Sequence, residues 1–371
     1  MGGQMIREAR LVENFLDMVK ISSPSKNERA MGDYLLKVLR ELGLEVKEDN
    51  AGELNGGNCG NIIGILKATG KKKFLFSAHM DTVVPCEKVV PVIENGIIKS
   101  DGTSILGGDD KGGIAAIIEM LRVIKENNLD HPEIIVVFSM GEEIGLLGSK
   151  SFDIDSYGVD FGFILDSSGK PGKIITKAPS AARGKITIIG KPAHAGISPE
   201  SGINALTVAA HAITKIKLGR VDTETTSNIG VVSGGQATNI VMPSVELDYE
   251  ARSLSNEKLQ SLLDETFNIF QKVCDDFGAK LENDVKVEYP GFALEDCEEV
   301  VEIVKAACEK AGVKSETASS GGGSDTNIYN SKGVPSVNLA VGMTKVHTLE
   351  EYIEIKDLVD LSKILVEIIK G

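Results

Sequence analysis

Histidines and carboxylates stand just beyond several apolar runs, where side chains from separate segments can meet. His79 and Asp81 follow the run Lys73 to Ser77 (KFLFS). Asp109 and Asp110 lie in Gly107-Gly108-Asp109-Asp110-Lys111-Gly112-Gly113, ahead of a helical pattern. Glu142 and Glu143 follow Glu133 to Ser139 (EIIVVFS), Asp166 follows Phe161 to Leu165 (FGFIL), and His347 comes in the loop after Pro335 to Ala340 (PSVNLA). Two carboxylates ~4 Å apart repel by about 4 kcal/mol at an effective dielectric of about 20. Four or five such groups brought together therefore need cations, or several must hold protons. Histidine mixed with carboxylate, and no cysteine among them, suits zinc, with manganese or cobalt as alternatives. Two histidines and three acids can serve two metals if one acid bridges, the ions then being roughly 3.5–4 Å apart around a shared water.

Each fragment alone has an ordinary explanation. His-x-Asp is common, Asp-Asp-Lys is often a solvated turn, Glu142-Glu143 suits the start of a helix, and Asp166 can cap a loop. Their recurrence at successive strand ends favours metal. His131, before Pro132, and His211, inside a helical pattern, serve as controls and are expected to be surface or satisfied histidines.

The elements that must position these groups follow from periodicity. Helices are expected from about Glu8 to Val19, from Glu28 to Leu42 (stopping at Gly43), from Lys111 to Lys125 and from Lys356 to Ile369. The apolar runs named above read as buried strands. Their alternation with helices predicts a mostly parallel sheet covered on both faces, with ligands beyond the carboxyl ends of its strands. The middle of the chain differs. Strand-like Gly184–Ile189, helical Gly202–Lys217, strand-like Ser227–Val232 and Val245–Ala251, helical Asn256–Phe277 and a final strand Lys280–Val287 give the order β-α-β-β-α-β, which is ferredoxin-like. This block interrupts the catalytic-looking segments and reads as an inserted lid, bounded near Ala178 to Arg183 and near Tyr289-Pro290-Gly291. The expected division is therefore 1–180 and 289–371 for the two parts of the catalytic domain and 181–288 for the insertion.

Bulk properties limit the partners. A chain of 371 residues points to two domains. It carries a net charge of −14 and no basic stripe, which argues against nucleic acid and anionic membrane surfaces. There is no run of about 18 apolar residues to span a bilayer, and Met1 to Arg10 lacks the apolar core of a secretory signal. Five scattered cysteines, without CxxC spacing, suit reduced thiols and a cytoplasmic location.

The motifs His79-Met80-Asp81-Thr82-Val83, Gly107 to Gly113, Gly141-Glu142-Glu143-Ile144-Gly145, Asp166-Ser167-Ser168-Gly169 and His347-Thr348 resemble, in this order, the co-catalytic zinc exopeptidases. That family includes tripeptidase T, carboxypeptidase G, aminoacylase and succinyl-diaminopimelate desuccinylase, and the resemblance covers essentially the whole chain. Asp109-Asp110-Lys111 is more similar to tripeptidase T and carboxypeptidase G than to the desuccinylases, and Ser100 to Gly107 and Ala193-His194-Ala195-Gly196 tilt the resemblance towards the tripeptidase T-like subgroup. The resemblance implies that His79 and Asp166 bind one metal, Glu143 and His347 the other, and that Asp109 bridges both across a cis Asp109–Asp110 peptide. It implies Glu142 as general base and Asp81 as the residue that orients His79. It also implies that His194 stabilises the oxyanion in a partner subunit's site and that Asn239 is another cross-subunit contact. Arg252 would grip a substrate carboxylate, the loop around Gly322 would line the pocket, and the insertion would form a homodimer. The expected activity is hydrolysis of short peptides, as a tripeptide aminopeptidase, with a carboxypeptidase G-like or N-acyl amino acid amidohydrolase as the alternative.

Overall fold

The computed structural model describes residues 5–68 and 70–371. Met1 to Gln4, the start of the stretch expected to lack a signal segment, lie outside them. The described residues form two compact units: those within 5–177, 294–320 and 324–371 make one, and residues 178–293 with 321–323 make the other.

The first unit is built on a sheet whose centre is parallel. Glu133–Ser139, Lys73–His79, Phe161–Ser167 and Ser336–Ala340 lie side by side in that order, all pointing the same way. Antiparallel neighbours flank them, Ile62–Leu66 on one side and Lys173–Ala178 on the other. The central strands are apolar on both faces, because helices cover both. On one face Leu75 packs with Ile135, Ile164, Phe152 and Tyr329. On the other, the Phe163 ring stacks on Phe76 at 5.2 Å and meets Phe74 edge-on at 5.3 Å. The helix Gly108–Asn127 is buried along most of its length and packs against Glu8–Val19 and Ile355–Lys370. A separate three-stranded sheet, Pro91–Glu94, Ile97–Ser100 and Tyr352–Glu354, was not expected from sequence. Among the described residues no helix is long and apolar enough to cross a membrane.

The second unit has the ferredoxin-like arrangement. Thr225–Gly234, Ser244–Ser253, Ser180–Ile189 and the strands after Lys280 form one antiparallel sheet, with the first and third strands of the sequence in the middle. The helices Ala205–Ile213 and Asn256–Phe277 bury Val208, Ala209, Leu263 and Phe270 against it. Two expectations are corrected. The final strand is two strands, Lys280–Asn283 and Lys286–Tyr289, both paired to Ser180–Ile189. The break falls at Asn283 and Asp284: Asn283 Oδ1 accepts Val285 N–H and Asp284 Oδ1 accepts Lys185 N–H, while Asp284 N–H still donates to the Lys185 carbonyl. The first helix begins at Ala205, not Gly202, since Asn204 Oδ1 caps it by accepting from Leu206 and Thr207.

The stacked aromatic face yields a stability prediction. Phe163→Ala should cost about 3–5 kcal/mol, read as a lower urea midpoint for the transition of the first unit.

Candidate metal centre

His79 is the last residue of its strand and is buried. Its Nδ1 lies 2.8 Å from the carbonyl oxygen of Asp81. A carbonyl can only accept, so Nδ1 carries the proton and Nε2 is turned outward as the second ring nitrogen. Nε2 faces Asp109 Oδ1 at 3.0 Å and Asp166 Oδ1 at 3.7 Å. A lone pair set against two carboxylate oxygens is repulsive, so either a proton or a cation must lie between them.

Asp109 is placed by its backbone. Its N–H donates to Glu351 Oε1 at 2.9 Å, and the Asp109–Asp110 peptide is cis. Its other carboxylate oxygen, Oδ2, lies 3.2 Å from His347 Nε2. The two oxygens of Asp109 therefore face two different imidazoles. The buried Asp110 carboxylate accepts His79 N–H and Gly113 N–H, each at 3.2 Å, pinning the helix start to the strand end. Gly113 permits that approach: a Cβ there would fall 2.4 Å from the Leu165 carbonyl oxygen.

The loop after Glu133–Ser139 carries the glutamates. Their N–H groups donate to the two carboxylate oxygens of Asp81, Glu142 at 2.9 Å and Glu143 at 3.2 Å, and Ser25 Oγ donates to the same carboxylate at 2.6 Å. Asp81 thus holds His79 through its backbone and the glutamate pair through its side chain. The Asp81 carboxylate also lies near the imidazole, with Oδ1 3.5 Å from Nδ1, farther than the carbonyl. Glu143 Oε1 approaches His347 Nε2 to 2.9 Å, yet it is buried and accepts no hydrogen bond. Asp166 is the last residue but one of the strand Phe161–Ser167, and Asn338 of the neighbouring strand clamps its backbone on both sides.

Among the described residues, two groups bring ligand atoms within 4.8 Å of one another: His79, Asp109 and Asp166, and Asp109, Glu143 and His347. The electrostatics have the sign of a cation site. Burial opposes charge on His79, but bonds to Asp109, Asp166 and Asp81 raise its proton affinity well above the usual imidazole value. The neighbouring carboxylates of Asp109 and Glu143 push His347 up to about 10. Burial, reinforced by the charge of Asp109, pushes Asp166 up to about 7, and burial together with Asp166 raises Glu142 well above the carboxylate range. The donor set and the orphaned Glu143 oxygen fit divalent cations.

The remaining sequence candidates lie in the second unit. His194 is exposed, its Nδ1 accepting Gly196 N–H, and Ala195 N–H donates to the carbonyl of the exposed Asn239, which puts these two loops side by side. Arg252 makes a fork on Glu250, with Nε to Oε1 at 2.9 Å and Nη2 to Oε2 at 3.2 Å, while Nη1 donates to the Gly321 carbonyl beside Gly322. Of the controls, His131 bonds the Pro132 carbonyl and His211 stacks on Phe277. Sequence reasoning did not find Glu351, Asn338 or Asp325. Asn338 is a polar residue inside an apolar strand, a signal that was available. Asp325 is buried and accepts Ser139 Oγ–H and Ser149 Oγ–H.

A parallel sheet that presents two ligand triads sharing one carboxylate defines a class, the hydrolases built for a pair of divalent cations. The model of peptidase family M20/M25/M40 matches residues 75–371, and the chain belongs to that family. Protein YqjE of Bacillus subtilis, itself uncharacterized, is 45% identical over 367 residues, 99% of either chain. The crystal structure of aminopeptidase PepT from Bacillus cereus superposes with a TM-score of 0.93 at 43% identity, covering 99% of both chains. A tripeptidase from Staphylococcus aureus superposes at 0.95 and 42% identity, covering 99% of this chain and 98% of its own. The protein is a metallopeptidase.

The Asp81 contacts yield a prediction. An amide at position 81 has a single acceptor oxygen for Glu142 and Glu143, so Asp81→Asn should lower kcat about 10–100-fold, with far-UV circular dichroism unchanged.

Proposed function

We propose that the chain is a two-metal aminopeptidase for short unblocked peptides, tripeptides foremost. The observation that carries this is Asp109, whose two oxygens face His79 Nε2 and His347 Nε2. His79 and Asp166 would complete one site, Glu143 and His347 the other. The nitrogen and oxygen donors suit zinc, with cobalt or manganese as substitutes. When bound, such a pair supplies Lewis acidity to the scissile carbonyl and to the attacking water. Glu142 receives the proton of that water at its carboxylate and delivers it to the leaving amine. Burial and the charge of Asp166 raise its proton affinity, in the direction that suits a group that takes up and passes on a proton. Asp81 keeps Glu142 at its post through the backbone bond. Arg252, Asn239 and Gly322 are the proposed substrate contacts, with the planar guanidinium suited to a peptide carboxylate. The names of the Bacillus cereus and Staphylococcus aureus relatives support the substrate class.

We also propose a homodimer through the second unit, with His194 serving the partner's site as oxyanion donor. Thr225–Gly234 pairs along its length with Ser244–Ser253, but on its other side only Thr226 and Ser227 are paired among the described residues. The edge from Asn228 to Gly234 is open, and Val231 and Val232 are 52% and 54% exposed. An open apolar edge invites a second copy of itself. The cytoplasm, where thiols stay reduced, suits the five free cysteines.

Chelation should abolish tripeptide hydrolysis, and zinc, cobalt or manganese should restore it, with two ions per chain by elemental analysis. Glu142→Ala should keep both ions and lose about 10²–10⁴-fold in kcat. Equal turnover by this variant and wild type would defeat the assignment, and faster cleavage of N-acylated than of free peptides would move the substrate class to acyl amino acids. Sedimentation should find a dimer that Val231→Asp with Val232→Lys dissociates with loss of activity; a fully active wild-type monomer would remove the cross-subunit role of His194.

A further inference from the structure

Glu351 lies four residues after His347 and is 1% exposed. Its carboxylate is spent entirely on one stretch of backbone. Oε2 accepts Leu106 N–H at 3.0 Å and Gly107 N–H at 2.8 Å, and Oε1 accepts Asp109 N–H at 2.9 Å. Three N–H groups converging on one carboxyl group fix the peptide planes from Leu106 to Asp109 relative to Glu351. The segment that carries Glu351 is itself closed: Thr344 and Tyr352 exchange both backbone bonds, and Glu351 N–H donates to the Thr348 carbonyl. His347 stands inside that closed loop. One side chain therefore staples the loop bearing His347 to the loop bearing Asp109, across 242 positions of sequence.

We infer that Glu351 is a positioning residue of the metal centre, fixing the Asp109 carboxylate against the His347 imidazole so that the ion held by Asp109, Glu143 and His347 binds tightly. The inference rests on the two-metal reading above. It assigns Glu351 no contact with substrate or reacting atoms. The packing beside it is equally specific. A Cβ on Gly108 would lie 3.0 Å from Glu351 Oε1, so even a methyl group at that position presses on the staple.

The test is a titration of chelator-stripped protein with cobalt(II), followed by visible absorption and by calorimetry, on wild type, Glu351→Gln and Gly108→Ala. A glutamine offers one acceptor oxygen where the carboxylate offers two, so at least one of the three N–H groups loses its partner. Wild type should take up two ions. Glu351→Gln should bind one of the two about 10–100-fold more weakly, with an altered cobalt spectrum at two equivalents. Gly108→Ala should shift in the same direction by less. The thermal midpoint of the metal-free variants should stay close to that of wild type, which separates positioning from folding. Two ions bound by Glu351→Gln with wild-type affinity and spectrum would overturn the inference and leave the two-metal reading intact. If Glu351→Gln does not fold, Gly108→Ala decides: wild-type cobalt binding by that variant overturns the inference, and weakened binding supports it. A wild-type protein that takes up no cobalt would overturn the two-metal reading itself, and this inference with it.

Discussion

The constraint on which the site depends is the crowding of negative charge around Asp109. His79, Asp166, Glu143 and His347 all send donor atoms to within a few ångströms of its carboxylate. Carboxylates at such separations repel by about 4 kcal/mol per pair at an effective dielectric of about 20, and burial adds the loss of water. The fold answers in two ways. It raises the proton affinity of the surrounding groups, both histidines and both of Asp166 and Glu142. It also holds every ligand segment by backbone bonds, so that the side chains cannot relax apart. A cluster of this kind keeps its shape because the scaffold is rigid, and the pairing of ligand atoms then favours whatever cation replaces the protons.

The scaffold achieves this by dividing labour between strands and staples. Parallel strands end together, so His79 and Asp166 leave adjacent strands at the same level, and the Glu142-Glu143 loop leaves the strand on the far side of His79. Strand ends alone would leave the loops free to move. Asp81, Asp110, Asn338 and Glu351 remove that freedom, each by bonding main chain rather than metal-ligand side chain. Backbone groups are the better anchors for the purpose: each N–H has one direction, and its bond to a buried carboxylate fixes the peptide plane and therefore the start of the side chain that follows.

The residues that meet at the candidate centre and the strands that carry them were legible in sequence because both signals are local. A run of apolar β-formers names a buried strand, and a histidine or acid immediately after it names what sits at the strand's carboxyl end. The ferredoxin-like order was legible for the same reason. What was not legible depends on contacts between distant segments. Nothing around Glu351 marks it as different from Glu350, which is exposed and pairs with Lys345. Only the placement of the Leu106 to Asp109 loop against it makes the distinction. The short sheet of Pro91–Glu94, Ile97–Ser100 and Tyr352–Glu354 joins segments more than half the chain apart, and each piece is too brief to carry a periodic pattern. The fork that Glu250 makes on Arg252 was not legible either: Glu250 reaches Arg252 two residues along the same strand and Arg183 directly opposite on the neighbouring strand.

Glu142 and Glu143 illustrate how one scaffold gives neighbouring identical residues different chemistry. Both N–H groups are tied to Asp81, so the backbone enters the site in one fixed way. Successive side chains then diverge. Glu143 sends a buried oxygen towards His347 and leaves it without a hydrogen bond, the state of an acceptor kept for a cation. Glu142 remains under the pressure of burial and of Asp166, which favours its protonated form and so makes it willing to hold a proton. In the proposed mechanism one of these carboxylates holds a cation while the other carries a proton, and those two tasks conflict in a single carboxylate. Placing two carboxylates on consecutive residues, with a third carboxylate beneath them to lock the turn, resolves the conflict by geometry alone.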